Sequence, residues 1–469
     1  MAKKVEIEQT EIEAPYELPE GWKWCRLGEI CEKIKRGKSP KYADKSGTLV
    51  FAQKCNQPDG TMSLEKALFL NEELLSKYKD DDFVKDGDIL INSTGTGTIG
   101  RVGYFDKSFL TEGMKLVPDT HVTTVRARIG NAPQFFYYFL KQKESYLELK
   151  GVGTTNMKEL HADVLENLLF PLPPTLAEQK RIVSRIETLF AKLDEAEEKT
   201  RAVLDSFETR KAAILHKAFS GELTASWRKE NEVEKNEELE SIYSFVQSLP
   251  KKDITNIEEF QKRASDYILS DGTLWKKCFI GAIGIVTNGS TPSRKEPAFW
   301  NGDIPWVSSG EVSNNIIEAT NERITEEGYN NSSVKKLPIG TVLIAMIGEG
   351  KTRGQTSVLN IEATTNQNIA AIIINHGRVE PKFLWYWLQK EYKNNRTAGN
   401  GSGPQALNCQ RVRELPFILP TLTEQQEIVH ILDTVLEKET RAKEAAQTVL
   451  DQIALLKKSI LARAFRGDL

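Results

Sequence analysis

A chain of 469 residues with 39% hydrophobic content is long enough for two to four domains with sizeable cores. Its net charge of −3 argues against a protein that coats nucleic acid by bulk charge, while leaving room for one that reads it through local basic patches. Five cysteines (Cys25, Cys31, Cys55, Cys278, Cys409) without C-x-x-C spacing or a nearby histidine cluster read as reduced thiols with no zinc site; no signal peptide or long apolar run is visible, so a cytoplasmic protein without membrane contact is expected.

In chain order, an acidic arm of about sixteen residues precedes Leu18–Ile30, which opens a mixed α/β domain assigned to residues 1–173. Lys33, Lys35, Arg36, Lys38, Lys41 and Lys45 outnumber Glu32 and Asp44 there, and such a cluster serves either as a solvated loop or as a phosphate contact. Asp86–Ile91 is a turn into a strand. The loop after it, Ser93–Arg101, alternates glycine with threonine, so its backbone can approach a ligand closely while its hydroxyls offer hydrogen bonds. Gln134–Leu140 is an aromatic-rich helix expected to face the core.

Residues 174–223 read as one long helix. Thr175-x-x-Glu178 after proline is a capping box, and Gly221 sits where a helix end favours glycine. Ile182, Ile186, Leu189, Leu193, Ala196, Thr200, Val203, Phe207, Arg210 and Ile214 recur in steps of four and three, the narrow seam of a coiled coil. Some forty residues at 1.5 Å each make a rod of roughly 60 Å. Residues 224–269 are a charged helical linker, with Thr255-x-x-Glu258 opening a short helix.

From residue 270 the pattern returns. Trp275, Gly289–Pro292, Gly340–Ile344, Gly348-x-Gly350 and Pro381–Leu388 repeat, respectively, Trp22, Gly37–Pro40, Gly87–Ile91, Gly95-x-Gly97 and Pro133–Leu140, giving a second mixed domain over 270–419. Residues 420–469 repeat the long helix at a constant offset of 246, with 21 of 50 positions identical. Its seam runs through Ile428, Leu432, Val435, Glu439, Ala442, Ala446, Val449, Ile453, Leu456 and Ile460. Such a seam also suits an intermolecular dimer, but both copies lie in one chain, which favours their pairing with each other. Two similar frames with different loops suggest one scaffold carrying two specificities.

No catalytic constellation stands out. Ala345-x4-Gly350-Lys351-Thr352 fits a relaxed phosphate-binding loop, but a turn and a strand are expected after it where that loop requires a helix. Pro118–Asp119 with Glu148 and Lys150 only loosely mimics a nuclease carboxylate set.

The helix entries PLPPTLAEQKRIV (Pro171–Val183) and LPTLTEQQEIV (Leu419–Val429), with the exits AFSGEL (Ala218–Leu223) and AFRGDL (Ala464–Leu469), resemble the specificity subunit of type I restriction–modification systems. The resemblance covers nearly the full chain. It departs at Gly340–Thr341, where aspartate commonly follows glycine, and at Gly399–Pro404, which replaces the Gly-Thr-Thr of Gly153–Thr155. It implies an α+β fold of two target-recognition domains joined by two long antiparallel coiled-coil helices about a pseudo-two-fold. It further implies a non-catalytic subunit that reads a bipartite double-stranded DNA site and docks two methyltransferase and the restriction subunits. S-adenosylmethionine, ATP and Mg would then belong to those partners, with no cofactor in this chain. On charge and loop type, Lys35, Arg36, Lys38, Lys41, Arg294 and Lys295 are expected to hold phosphates; Thr94, Thr96, Thr98, Arg101, Lys351, Arg353 and Gln355 are expected to approach base edges. The rival reading is a coiled-coil structural adaptor with two protein-binding heads.

Overall fold

The repeat found in the sequence is a repeat of strand pairing. In the computed structural model, Ile89–Asn92 lies between Val122–Ala127 and Val102–Tyr104, all antiparallel, with Cys31–Arg36 on the far side of Val122–Ala127. Later in the chain Val342–Ala345 lies between Ile369–Ile374 and Thr356–Leu359, with Gly284–Asn288 outermost. The registers agree as well: Ile89 faces Val125 as Val342 faces Ile372. Both central strands are fully buried, which is why they read as unbroken apolar runs rather than as alternation.

The structure describes residues 14–57, 60–154, 157–231, 237–249, 256–268, 274–348, 350–374, 377–397 and 406–469. The acidic arm up to residue 13, Thr155, Thr255 and the Gly399–Pro404 stretch lie outside the described residues. The chain divides into two units, Met1–Ala202 with Ala446–Leu469, and Val203–Ala445. Each therefore holds one mixed α/β domain, the start of the helix that follows it and the end of the other long helix.

In the first unit a second sheet orders Tyr42–Ala43, Leu68–Leu70, Thr48–Phe51 and Lys115–Pro118, and Lys23–Arg26 pairs with Leu169–Leu172. The aromatic helix Pro133–Gln142 buries Phe135, Phe136 and Phe139 against Phe170 and against Phe465 of the AFRGDL exit, at centroid distances of 4.5–5.7 Å. The second unit repeats this with Phe219 of AFSGEL packed on Phe383 at 5.3 Å and on Trp387 at 5.4 Å. Aromatic pairs at these separations contribute about 0.5–1.5 kcal/mol each beyond the area they bury. The exit motif is thus a plug for the aromatic helix.

The helix entry has an equally physical reading. Thr175 Oγ1 accepts from Glu178 N at 3.2 Å and Thr421 Oγ1 from Glu424 N at 3.3 Å, so one half of each expected capping box forms. The glutamates do not reach back. Glu178 binds Arg181, while the buried Glu424 accepts from Thr224 Oγ1 at 2.8 Å, from Trp275 Nε1 at 2.9 Å and from Arg228. The neighbouring glutamines turn inward: Gln179 Oε1 accepts from Ala132 N at 2.8 Å, and Gln425 Oε1 from Glu380 N at 3.0 Å. Both amides tie the helix entry to the residue just before the aromatic helix.

Within each unit the two helical segments run antiparallel. Arg181 donates to Leu469 O while Lys457 meets Asp194 at 2.6 Å and Glu197 at 2.8 Å. In the second unit Arg210 meets Glu439 at 2.8 Å while Arg228 meets Glu424. Along the expected seam Ile182, Ile186, Ile428, Leu432 and Ile453 are buried, Leu189, Leu193, Phe207, Val435 and Ile460 are half-buried, and Val203 and Val449 are exposed at 40% and 39%.

Two expectations need correction. The first long helix is two, Leu176–Asp205 and Phe207–Phe219, whereas Leu422–Ala464 is continuous. At the break Ser206 Oγ bonds Val203 O at 3.0 Å and Arg210 Nη1 donates to the same carbonyl at 3.2 Å, so side chains take up an acceptor of the helical ladder. The charged linker is in larger part a core element: Glu237–Ser248 and Ile257–Ile268 bury Ile242, Val246, Phe260 and Ala264 in the cluster that contains Trp275 and Ile280.

Candidate nucleic-acid interface

Both central strands end in a loop built on the same backbone bonds. In the first unit Gly100 N donates to Asn92 O (2.8 Å), Asn92 N to Arg101 O (2.9 Å), Ser93 N to His121 O (2.8 Å) and Leu160 N to Ser93 O (2.8 Å). In the second, Gly354 N donates to Ala345 O (2.8 Å), Ala345 N to Gln355 O (2.9 Å), Met346 N to Asn368 O (2.9 Å) and Leu407 N to Met346 O (3.0 Å). Gly100 and Gly354 both take a positive φ, +83° and +84°, where a side chain would be strained. Beside each loop an Asx turn recurs: Asp119 Oδ1 accepts from His121 N at 2.8 Å, and Asn366 Oδ1 from Asn368 N at 3.0 Å. One frame is therefore written twice, with Arg101 and Gln355 at the same place in it.

The side chains on the first frame are braced. Arg101 folds back, giving Nη2 to Gly97 O at 3.0 Å and Nη1 to Asn56 O at 3.4 Å. Asn56 Nδ2 in turn bonds Asn92 Oδ1 at 2.8 Å, and Asn92 Nδ2 bonds Gln53 O at 3.0 Å. Thr94 Oγ1 and His121 Nδ1 share a 2.6 Å bond, Thr98 Oγ1 is within 3.4 Å of Thr94 O, and Thr96 is exposed. Burial pushes the Asp119 carboxyl up, against the downward pull of the His121 N–H, of His121 itself, Arg36 and Lys54.

The basic residues are more firmly held than their sequence suggests. Lys38 Nζ bonds Asp82 Oδ2 at 2.6 Å and Lys77 O at 2.7 Å, and Lys35 Nζ reaches Asp82 Oδ1 at 3.3 Å. Burial pushes the Asp82 carboxyl up, but hydrogen bonds from Lys38, the Lys79 N–H and Lys35 outweigh it and hold its pKa at about 2. Arg36 pairs with Glu159. Arg294 grips Glu322 with both terminal nitrogens and lies 3.8 Å over the Trp300 ring. Lys41, Lys295 and Lys351 are exposed. Tyr392 OH donates to Lys351 O at 2.6 Å, and Arg396 Nη1 to Arg353 O at 3.1 Å, so a second helix fixes the backbone of the second loop.

The structure thus brings Arg36, Thr94, Thr98 and Arg101 of the first unit to one sheet end, and Lys351, Arg353 and Gln355 to the matching end of the second. Lys35 and Lys38 are gathered instead around Asp82. The sequence reading missed Gln53, Asn56, Asn92, His121 and Glu159, and Asn366 and Asn368 in the second frame. A signal existed in the pair Asp119-x-His121 and Asn366-x-Asn368, but two polar residues one apart are too common to notice without the sheet register. The relaxed phosphate-binding motif sits between antiparallel strands, with a turn and Thr356–Leu359 after Lys351 and no helix. Asp119 is buried in its turn and Glu148 is exposed, and among the described residues no three His, Cys, Asp or Glu side chains gather as metal ligands. No helix is long and apolar enough to cross a membrane among the described residues.

A family model described as the type I restriction modification DNA specificity domain matches residues 19–205 and again 273–450. The chain is 29% identical over 163 residues to the specificity subunit of an Escherichia coli type I restriction enzyme, covering 34% of this chain and 40% of that one. It is 29% identical over 189 residues to the MjaIX specificity subunit of Methanocaldococcus jannaschii, covering 39% and 42%. These matches span less than half the length of either relative; a longer one, to the StySPI specificity subunit of Salmonella potsdam, is 20% identical and covers 96% of this chain and 90% of that one. In fold the chain is similar to the HsdS subunit of Thermoanaerobacter tengcongensis, with a TM-score of 0.56 and 19% identity over 97% of this chain and all of that one. A chain from a structure of a type I R-M system gives a TM-score of 0.67 and 18% identity over the same shares.

Proposed function

This chain belongs to the type I restriction modification DNA specificity domain family, and we propose on that premise that it selects the DNA site for a type I restriction–modification complex. Each unit reads one half of a bipartite double-stranded site. The observation that carries this reading is the doubled loop frame, in which identical backbone bonds present Arg101 in one unit and Gln355 in the other. Arginine suits the O6 and N7 acceptors of guanine, and glutamine suits the N7 acceptor and N6 donor of adenine, so one scaffold can carry two readouts.

Exposed Lys41 and Lys295 supply phosphate contacts that set register without carrying sequence information, while exposed Lys351 stands beside Gln355 on the base-reading loop. Lys35, Lys38 and Arg36, already paired, serve to hold the first sheet edge in shape and reach a phosphate only with their remaining exposed surface. In this proposal the chain performs no bond chemistry itself. Two methyltransferase subunits dock on it and use S-adenosylmethionine to modify adenine, and restriction subunits use ATP and Mg. Its described residues contribute the address, through side chains that bind and orient the duplex.

The experiment is genome-wide mapping of methylated adenine in cells with and without this chain, its methyltransferase partner being retained. Loss of a two-part motif with a fixed gap, restored by re-expression, is the expected result. Methylation unchanged on deletion would remove the DNA-reading proposal and favour a coiled-coil adaptor.

A further inference from the structure

Among Phe207–Phe219, the aromatic helix Pro381–Lys390 and the C-terminal helix, the second unit has a half-open cleft of about 260 Å³ whose lining includes Phe207, Lys211, Trp385, Tyr386, Gln389 and Asp433. Its polar groups fall into two sets. Asp433 is satisfied by Tyr386 OH at 2.6 Å and Lys382 Nζ at 2.7 Å, and Glu437 by Arg441 at 2.6 Å. The amide nitrogen and oxygen of Gln389, by contrast, are both buried and bond to nothing. Lys211 is half-buried and donates no hydrogen bond to an acceptor; burial lowers its pKa, Glu208 acts on it only through space, and Lys443 repels it.

The first unit supplies an internal control. At the offset of the helical repeat Lys457 stands where Lys211 does, Asp194 where Thr440 does, Glu197 where Lys443 does and Phe190 where Leu436 does; on the aromatic helix Lys141 stands at the place of Gln389. There the two cations are matched: Lys457 binds Asp194 and Glu197, and Lys141 binds Glu144 at 2.7 Å. Phe190 packs edge-on against Tyr138 at 5.9 Å. In the second unit both carboxylates are gone and a leucine replaces the phenylalanine. What remains is a cleft, an ammonium without a hydrogen-bonded counter-charge and an amide without a bond, and such groups are unfavourable unless something completes them.

We propose that this cavity binds a small organic carboxylate with a flat body, its anionic group on Lys211, its other polar edge on Gln389 and its face against Phe207 and Trp385. Both lining carboxylates already have cationic or hydroxyl partners, so the unmatched charge in the site is positive. The volume lies below the ≈ 300–1,000 Å³ of drug-sized pockets and matches a single ring. A bound acid would bridge Phe207–Phe219, the C-terminal helix and the aromatic helix of the second unit.

The test is calorimetric titration of the full chain with benzoate in a carboxylate-free buffer. Saturable binding of one equivalent is expected, with acetate weaker and uncharged benzamide not binding. Thr440→Asp installs the carboxylate that the first unit carries, and should weaken benzoate binding by at least about tenfold without lowering the thermal midpoint. Lys211→Met should do the same by removing the charge. Binding weaker than about 10 mM, equal binding by the Thr440→Asp protein, or equal binding of benzamide overturns the proposal.

Discussion

Arg126 closes on the carboxylate of Asp88 with two parallel bonds, Nε to Oδ1 and Nη2 to Oδ2, both 2.7 Å, and Asp88 has no exposed surface. This pair accounts for the departure of the second unit from the glycine–aspartate pattern. There Thr341 takes the place of Asp88 and donates to Pro338 O at 2.7 Å, while the register puts Ile373 in the place of Arg126. Both members of the pair are replaced together, so neither is left as an unpaired buried charge at this position.

Asp88→Ala should therefore cost the first unit about 3 kcal/mol, the low end for a broken buried pair, because Arg126 keeps only the half-exposed Asp81 at 2.9 Å. Asp88→Thr combined with Arg126→Ile, the combination in the second unit, should recover most of that loss. Urea unfolding followed by a probe in the first unit measures both. A loss under about 1 kcal/mol in the single variant would show that solvent compensates the arginine.

Acid should act on the first unit through Asp82. Its folded pKa of about 2 lies below the ordinary carboxylate value, so its contribution is fully present above the unfolded pKa and is lost as pH falls through the folded one. The window runs from about pH 4 to pH 2, and the contribution is on the order of 1–2 kcal/mol. Asp82→Asn should flatten the stability profile in that window and leave the profile above about pH 5 parallel to wild type.

Arg210 and Glu439 interrupt the helical seam of the second unit and meet each other at 2.8 Å, while the aligned positions of the first unit are Leu456 and Leu193. Arg210→Leu alone should cost about 1 kcal/mol by stranding a half-buried carboxylate. The double change Arg210→Leu with Glu439→Leu should be close to neutral, since an apolar pair that is only partly buried in the first unit replaces an ion pair that must be desolvated. A double-mutant cycle by thermal unfolding separates the coupling from the single effects.

Arg101→Ala should relax methylation specificity in one half of the motif only, and Gln355→Ala in the other half only, by about 1–3 kcal/mol per affected base. Because Arg101 also braces Gly97 and Asn56, Arg101→Lys should lose specificity nearly as fully as alanine does. Sequencing of methylated sites reads both. Uniform weakening across all sequences would mark either residue as a phosphate contact.

The repeated helix, its capping threonines and the aromatic helix were legible because each rests on local spacing that the chain must obey wherever it folds. Phe219 and Phe465 could be named from AFSGEL and AFRGDL, but not the rings they plug, since those lie far away in sequence. Ser206 was invisible as a break because serine is tolerated in a helix and the competing bond from Arg210 comes from the next turn. The linker was misread because Glu-rich faces hid the buried stripe of Ile242, Val246, Phe260 and Ala264.

The family, the doubling of the frame and the positions of the long helices follow from periodicity and repeated motifs, which are properties of order along the chain. Which charges remain available to a ligand is a property of the folded chain. Lys35, Lys38, Arg36 and Arg294 are indistinguishable in sequence from Lys41 and Lys295, yet the former are held by Asp82, Glu159 and Glu322. Charge is local, but its neutralisation depends on through-space partners, and those are set by sheet register and helix packing.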